Sequence, residues 1–187
     1  MTRQQGVNRV VMAVRDLDEG RTFYEDVLGC TFHPVDDEEA ARFGVRTVFS
    51  WDGGIELVAP IPGADSHVEK LLDERGEGLI GVVWAVADAD RARDVAAQHG
   101  VATFFTLDYD QEQIDAKLQG RFTRYYQHFL APGGPLGSTP TVLVGEYADR
   151  CRPRRRRPPR SVHRHHDLGE RRGPGDQRHH LVPPLER

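Results

Sequence analysis

The hydrophobic and polar positions of the chain follow a pattern that occurs twice. Residues 10–18 (VVMAVRDLD) return as residues 82–90 (VVWAVADAD), at an offset of 72 positions. Each copy is an apolar run typical of a buried strand, followed by an aspartate and then by a helical pattern. The match predicts two copies of one supersecondary unit.

Each apolar run is followed by a helix with its own boundary signals. Asp16 can cap the first helix, with Glu19 three residues later as a capping box, and Asp88 can cap the second. Gly29 and Gly100 suit the ends of these two helices. The first helix is expected to carry one apolar face, formed by Phe23, Tyr24, Val27 and Leu28.

Three segments with strand patterns follow each helix, so that each copy reads as βαβββ. They cover residues 31–35, 45–51 and 55–58 in the first copy, and residues 102–107, 121–130 and 141–144 in the second. A short helix that opens at Asp65 or Ser66 and ends at Gly76 links the copies, and another is expected at residues 111–119.

These elements predict an α+β domain in residues 1–150, with modules at about residues 7–60 and 79–147. Two βαβββ units have one economical arrangement: two curved sheets pair around a central cleft, and the helices cover the outer faces. The expected function is therefore one that a cleft between the modules can perform.

The composition changes abruptly after Arg150. Residues 151–187 contain eleven arginines and five histidines, but no lysine and no Phe, Tyr or Trp. So little apolar area cannot offset the entropy of ordering the chain, and we expect a disordered basic tail. Arg, Pro, Gly and His are also what GC-rich DNA yields when it is read out of frame. We favour a frameshift product over a basic tail that binds nucleic acid.

Charge and hydropathy exclude several classes of partner. The tail carries +7 and the whole chain −4, so residues 1–150 carry −11, which would repel phosphate backbones. The longest apolar run, residues 79–87, is far shorter than the roughly 20 residues that span a bilayer. With no signal-peptide pattern and two cysteines, Cys30 and Cys151, the sequence predicts a cytoplasmic protein without nucleic-acid or membrane partners.

The paired modules and several local motifs resemble the vicinal-oxygen-chelate superfamily, which includes glyoxalase I, bleomycin-resistance proteins and extradiol dioxygenases. Residues 8–19 (NRVVMAVRDLDE) and 23–29 (FYEDVLG) look like its first strand and helix. Residues 55–60 (IELVAP) and 71–79 (LLDERGEGL) are most similar to methylmalonyl-CoA epimerases. The resemblance covers residues 7–147 and implies a glyoxalase-like fold.

The resemblance also implies where a metal would bind. At those positions the sequence lacks most of the expected metal ligands. Metal-binding members place one ligand on the first strand and one on the last strand of each module. The corresponding residues are Arg9, Glu56, Gly81 and Gly145, of which only Glu56 is a plausible ligand. Glu146 is one position away and should point to the other face of its strand. We therefore expect no metal cofactor.

Arg9 and Glu56 are the predicted catalytic pair at the polar end of the cleft. Without a metal, Arg9 could stabilise developing negative charge and Glu56 could act as a base. Arg9 could equally hold a carboxylate or phosphate of a ligand. The alternative is that the two residues form a buried structural ion pair.

Residues 121–130 form the strand expected to line the cleft of the second module. Strand alternation places Arg124, Tyr126 and His128 on one face, with Tyr125, Gln127 and Phe129 on the other. Alternation alone does not decide which face points inward. We take Arg124, Tyr126 and His128 as the predicted ligand-binding residues.

The resemblance implies a diverged protein that binds a small organic acid or an acyl thioester. As an enzyme it would be a metal-independent epimerase, isomerase or lyase, with Glu56 and Arg9 in the site. The alternatives are a non-catalytic binder, like the drug-sequestering members of the superfamily, and an accessory subunit without an open cleft. The expected partners are a small-molecule ligand and a second copy of the chain in a homodimer.

Overall fold

The two copies of the sequence pattern fold into modules with the same order of strands. The computed structural model describes residues 5–35, 38–133, 136 and 141–150. The first module contains β1 (Gly6–Ala13), α1 (Leu17–Leu28), β2 (His33–Pro34), α2 (Glu38–Arg42), β3 (Val45–Ser50) and β4 (Ile55–Pro60). After α3 (His67–Arg75), the second contains β5 (Gly78–Ala85), α4 (Ala89–Gln98), β6 (Thr103–Tyr109), α5 (Gln111–Lys117), β7 (Phe122–Leu130) and β8 (Thr141–Asp149). The predicted α+β class is confirmed, and α2 is an addition that the sequence pattern did not indicate.

The predicted helix caps form, with one difference. The Asp16 side chain accepts hydrogen bonds from the backbone N–H groups at the start of α1, and Asp88 does the same for α4. Gly29 ends α1 in the left-handed conformation, with φ of 66°. The sequence predicted a reciprocal capping box at α1, between Asp16 and Glu19. Among the described helices it is found instead at α5, between Asp110 and Gln113. These caps fix where each helix leaves the sheet.

All eight strands belong to one curled open sheet in the order β2-β3-β4-β1-β5-β8-β7-β6. The modules join edge to edge, because β1 and β5 pair antiparallel at the centre of the sheet. Within each module the first strand pairs in parallel with the last, β1 with β4 and β5 with β8. The predicted pair of curved sheets is thus one continuous half-barrel.

A β-bulge interrupts each of the two central strands. The register skips Asn8 on one side of the β1–β5 ladder and Ile80 on the other, which are equivalent positions of the repeat. The bulge at Asn8 lets its side chain and that of Arg9 meet, although adjacent strand residues normally point to opposite faces.

Packing on the two faces of the sheet separates the cavity from the helical layers. The largest cluster of buried residues lies on one face and includes Val11, Val83 and Leu143, with Leu72 from α3 and Ile114 from α5. The opposite face carries two smaller clusters. One packs under Leu17 and Tyr24 of α1, and the other under Ala92 and Ala96 of α4. The half-barrel therefore keeps one face for a cleft, and α1 and α4 each cover a part of the other face.

The apolar face predicted for α1 is only partly used. Tyr24 packs on the sheet, but Phe23, Val27 and Leu28 are each more than half exposed. Part of the apolar surface of α1 is therefore exposed.

The predicted tail, residues 151–187, lies outside the described residues. None of the helices in the described part of the chain combines the length and hydropathy needed to cross a membrane.

Candidate functional site

A cavity of about 470 Å³ lies against the face of the sheet that both modules share. Its walls are largely apolar and include Val11, Val58, Phe43, Phe105, Phe129 and Leu143. Its polar residues separate by burial into two groups. Arg9 and Gln127 are buried at what we term the deep end, whereas the ion-paired Asp65 and Lys70 are exposed at what we term the mouth.

The deep end is organised around the guanidinium group of Arg9, which is only 2% exposed. Arg9 Nε donates to Glu56 Oε2 at 2.7 Å, and Nη1 donates to Asn8 Oδ1 at 2.8 Å. Arg9 Nη2 donates to the hydroxyl of Tyr125 at 2.8 Å and, more weakly, to Gln127 Oε1 at 3.5 Å. Strands β1, β4 and β7 therefore all contribute to holding one charge.

Aromatic rings enclose the same guanidinium group. The Arg9 Cζ atom lies 5.1 Å from the ring centroid of Phe49 and 5.8–5.9 Å from those of Trp51, Tyr125 and Tyr147. Aromatic faces attract a cation, and the attraction grows as water is excluded. The rings therefore compensate part of the cost of burying the charge.

The electrostatics keep Arg9 charged and its tyrosine neighbour neutral. Burial by itself lowers the pKa of Arg9, but Tyr125, Glu56 and Tyr147 outweigh it and leave the pKa above its usual value. Burial raises the pKa of the Tyr147 hydroxyl to about 12, against an opposing effect of Arg9. Tyr147 therefore acts as a neutral donor, and its hydroxyl donates to Gln127 Oε1 at 2.7 Å.

The predicted pair of Arg9 and Glu56 thus comes together, in the arrangement that the sequence left as its alternative, a buried ion pair. Glu56 keeps 15% of its side chain exposed and lines the cavity. Arg9 directs its donors toward protein groups. Of the two residues, Glu56 is the one that a molecule in the cavity would meet.

The ligand-binding residues expected on β7 need correction. The strand does alternate, but Tyr125, Gln127 and Phe129 line the cavity. The side chains of Arg124, Tyr126 and His128 lie on the opposite face and do not line this cavity. Strand alternation predicts which residues share a face of β7, but not which face points to the cavity. The packing of α4 against the face with Tyr126 and His128 decides this, and leaves the other face to the cavity.

The outward set of β7 forms a polar network with α4. Asp90 Oδ1 accepts from the Tyr126 hydroxyl at 2.6 Å and lies 3.2 Å from His128 Nε2. His128 is fully buried, and its Nδ1 lies 2.8 Å from Thr106 Oγ1. The network holds the N-terminus of α4 on the sheet, which is a structural role.

The residues present do not fit a divalent metal at the positions where metal-binding relatives are expected to place ligands. Arg9 supplies a positive charge there, Gly81 has no side chain, and a Cβ atom at Gly145 would overlap the ring and hydroxyl of Tyr147. The carboxylate of Glu146 instead accepts from the backbone N–H of Ala89 at the start of α4. In the described part of the chain, no three His, Cys, Asp or Glu side chains gather as a metal site requires.

Sequence reasoning missed most of the groups around Arg9. Tyr125 and Gln127 lie on the face of β7 opposite to the predicted ligand-binding residues. Tyr147, the register partner of Tyr125 on β8, was not among the predicted site residues. The role of Asn8 could not be predicted, because a bulge is invisible in a hydrophobic pattern. Thr47, buried in the cavity wall, carries no sequence signal that separates it from other strand threonines.

Comparison with known proteins places the chain in a family. The family model of the glyoxalase/bleomycin resistance protein/dioxygenase superfamily matches residues 8–116, more than half of the sequence. The chain belongs to this superfamily. A relative in Bacillus subtilis (strain 168), the uncharacterized protein YqjC, is 32% identical over 73 residues, which are 39% of this chain and 51% of YqjC. The chain thus spans about half the length of that relative.

Solved structures share the fold of this superfamily member. Methylmalonyl-CoA epimerase from Mycobacterium tuberculosis has a TM-score of 0.57 at 23% identity, covering 75% of this chain and 86% of the epimerase. The Streptomyces coelicolor epimerase in complex with 2-nitronate-propionyl-CoA has a TM-score of 0.56 at 22% identity, covering 75% and 96%. A hypothetical protein from Bacillus halodurans C-125 has a TM-score of 0.55 at 16% identity, covering 81% and 98%. At these identities the likeness shows the fold.

The Arg9 network generates a prediction about stability. Arg9→Met should lower the free energy of unfolding by about 1–3 kcal/mol, the range for leaving buried polar partners unsatisfied. The free energy of unfolding of Arg9→Lys should lie between those of Arg9→Met and the parent protein, because an ammonium keeps the charge but lacks the planar fork of donors. Chemical denaturation of the three proteins measures the difference. Equal stability of all three would show that the network does not stabilise the fold.

Proposed function

We propose that this superfamily member binds a small organic molecule in the half-barrel cavity, without a metal. The observation that supports this most is the combination of about 470 Å³ of space with mostly apolar walls and a polar deep end. Ligand sites of proteins are typically concave and apolar, with a few polar groups that orient the ligand. In this proposal Phe43, Phe105 and Phe129 contact the apolar body of the ligand, and Glu56 contacts its polar group.

Acyl thioesters are one class of ligand for this cavity, because structural relatives were crystallised with methylmalonyl-CoA and with 2-nitronate-propionyl-CoA. With such a ligand, Glu56 would be the base that removes a proton next to the carbonyl group, as in an epimerase, isomerase or lyase. Its hydrogen bond from Arg9 Nε fixes the carboxylate in one orientation, which makes Arg9 a positioning residue. In this catalytic candidate, turnover survives chelation of metals and is lost in Glu56→Gln, while ligand affinity remains.

Sequestration of a ligand without chemistry is the second candidate. The engagement of Arg9 by protein groups favours it, since an enolate-like oxyanion would have to compete with Glu56 for the guanidinium group. In this case the parent and Glu56→Gln proteins would both bind a ligand and convert none. The two candidates share the cavity and differ only in turnover.

Binding in the cavity can be tested with N-phenyl-1-naphthylamine, a neutral probe whose fluorescence rises in apolar surroundings. Ala40 on α2 lines the cavity, whereas its neighbour Ala41 is exposed and does not. Ala40→Trp should therefore weaken probe binding by about tenfold or more, because the indole fills the space, and Ala41→Trp should leave it unchanged. A parent protein that gives no saturable signal, or two variants that behave alike, would argue against the cavity as the binding site.

We also propose that the chain forms a homodimer through the outer face of β1 and β5. Val7, Leu79 and Trp84 on these strands are all exposed, and an apolar surface of this kind is typical of an interface. In a two-fold dimer the same patch of both copies meets, and an apolar patch on these two central strands can pack against its own copy.

The dimer can be tested with a pair of residues of equal exposure. Trp84 on β5 and Val95 on α4 are each 42% exposed. Trp84→Glu should convert the protein to a monomer in size-exclusion chromatography with light scattering, because a charge at the interface would be buried without a partner. Val95→Glu should stay dimeric. A monomeric parent, or a dimeric Trp84→Glu, would remove this proposal.

A further inference from the structure

The hydrogen bonds of Arg9 determine what the deep end can recognise. Each of its three nitrogens already donates to a protein oxygen: Nε to Glu56, Nη1 to Asn8 and Nη2 to Tyr125. With 2% of its surface exposed, Arg9 cannot turn toward a ligand without breaking these bonds. An anionic ligand group that approached Arg9 would also meet the Glu56 carboxylate, which already compensates the guanidinium and would repel the anion.

The groups that remain for a ligand are a carboxylate and a hydroxyl. Glu56 lines the cavity with its side chain 15% exposed, and a carboxylate only accepts hydrogen bonds. Thr47 lines the cavity from β3, is 5% exposed, and its Oγ1 has no hydrogen-bond partner among the described residues. A buried polar atom without a partner costs free energy that a bound ligand would recover.

The amide of Gln127 adds a donor to this arrangement. Its Oε1 accepts from the Tyr147 hydroxyl and from Arg9 Nη2, so the oxygen is held toward the interior of the protein. The NH2 group at the other side of the amide remains to donate, and Gln127 also lines the cavity. The deep end thus offers one strong acceptor and two groups able to donate.

We propose that the deep end selects a neutral hydroxyl group, attached to an apolar body, over a carboxylate. The hydroxyl would donate its proton to Glu56 and accept from both Thr47 and Gln127, one on each lone pair, which satisfies all three groups at once. The inference rests on the proposed binding function and narrows its ligand class. It replaces the organic acid that the sequence suggested, because that expectation assigned the guanidinium of Arg9 to the ligand.

The test uses three competitors of matched size against bound N-phenyl-1-naphthylamine at neutral pH. Nonan-1-ol carries a hydroxyl, methyl octyl ether is its isomer without a donor, and nonanoate carries a negative charge. Nonan-1-ol should displace the probe at a concentration about tenfold or more below that of either other compound, the factor expected for one hydrogen bond to a charged group.

Two variants assign this preference to the deep end. Glu56→Gln should lower the preference for nonan-1-ol over nonanoate by about tenfold or more, because Arg9 then lacks a compensating charge and attracts the carboxylate. Glu39→Gln is the matched control, since Glu39 also lines the cavity but is ion-paired with Lys117. Thr47→Val, which keeps the shape of the side chain, should weaken nonan-1-ol several-fold and provides a second variant.

The outcomes separate this inference from the proposed function. If the probe does not bind the parent protein, the binding function itself fails. If the probe binds but nonanoate competes as well as nonan-1-ol, the selection for a hydroxyl is wrong and an organic acid becomes the ligand class. If the probe binds, but the three competitors displace it equally well or their order is the same in every variant, the deep end does not select the ligand. A preference for nonan-1-ol that is lost in Glu56→Gln, reduced in Thr47→Val and kept in Glu39→Gln supports the inference.

Discussion

The structure depends on keeping one positive charge out of water at the junction of the two modules. Burying a guanidinium group costs several kcal/mol unless charge and hydrogen bonds compensate for it. The compensation for Arg9 comes from Glu56 in the first module and from Tyr125 and Gln127 in the second. The same interaction that stabilises the junction therefore holds the two halves of the cavity in register.

This arrangement changes the chemistry of the superfamily cleft. Metal-binding relatives are expected to hold a divalent ion with side chains of both modules, and here a side chain of the protein supplies the positive charge. A covalently attached cation cannot gain or exchange ligands as a metal ion can. In the proposed function, Arg9 would act on a bound molecule mainly by orienting Glu56, to which its Nε donates. A cleft of this kind favours recognition of neutral groups over stabilisation of an oxyanion.

The second module has the strand order of the first without side chains at the two positions where metal ligands would be expected. Gly81 and Gly145 leave no side chain at the two positions expected to hold metal ligands in that module, and the ring of Tyr147 fills the space above Gly145. The strand order and the bulge at Ile80 are nevertheless the same as in the first module. Sheet pairing depends on backbone hydrogen bonds, which tolerate such replacements, whereas a metal site depends on particular side chains.

Local sequence determined the elements, because the repeat, the caps at Asp16 and Asp88, and strand alternation each depend on neighbours within a few residues. It also identified Arg9 and Glu56, since they occupy family positions. Tertiary structure alone decided the rest. Which face of β7 lines the cavity depends on where α4 packs, and the partners of Arg9 lie up to 118 residues away. No local pattern encodes such contacts, so the hydrogen bonds that hold Arg9 form only when the strands assemble.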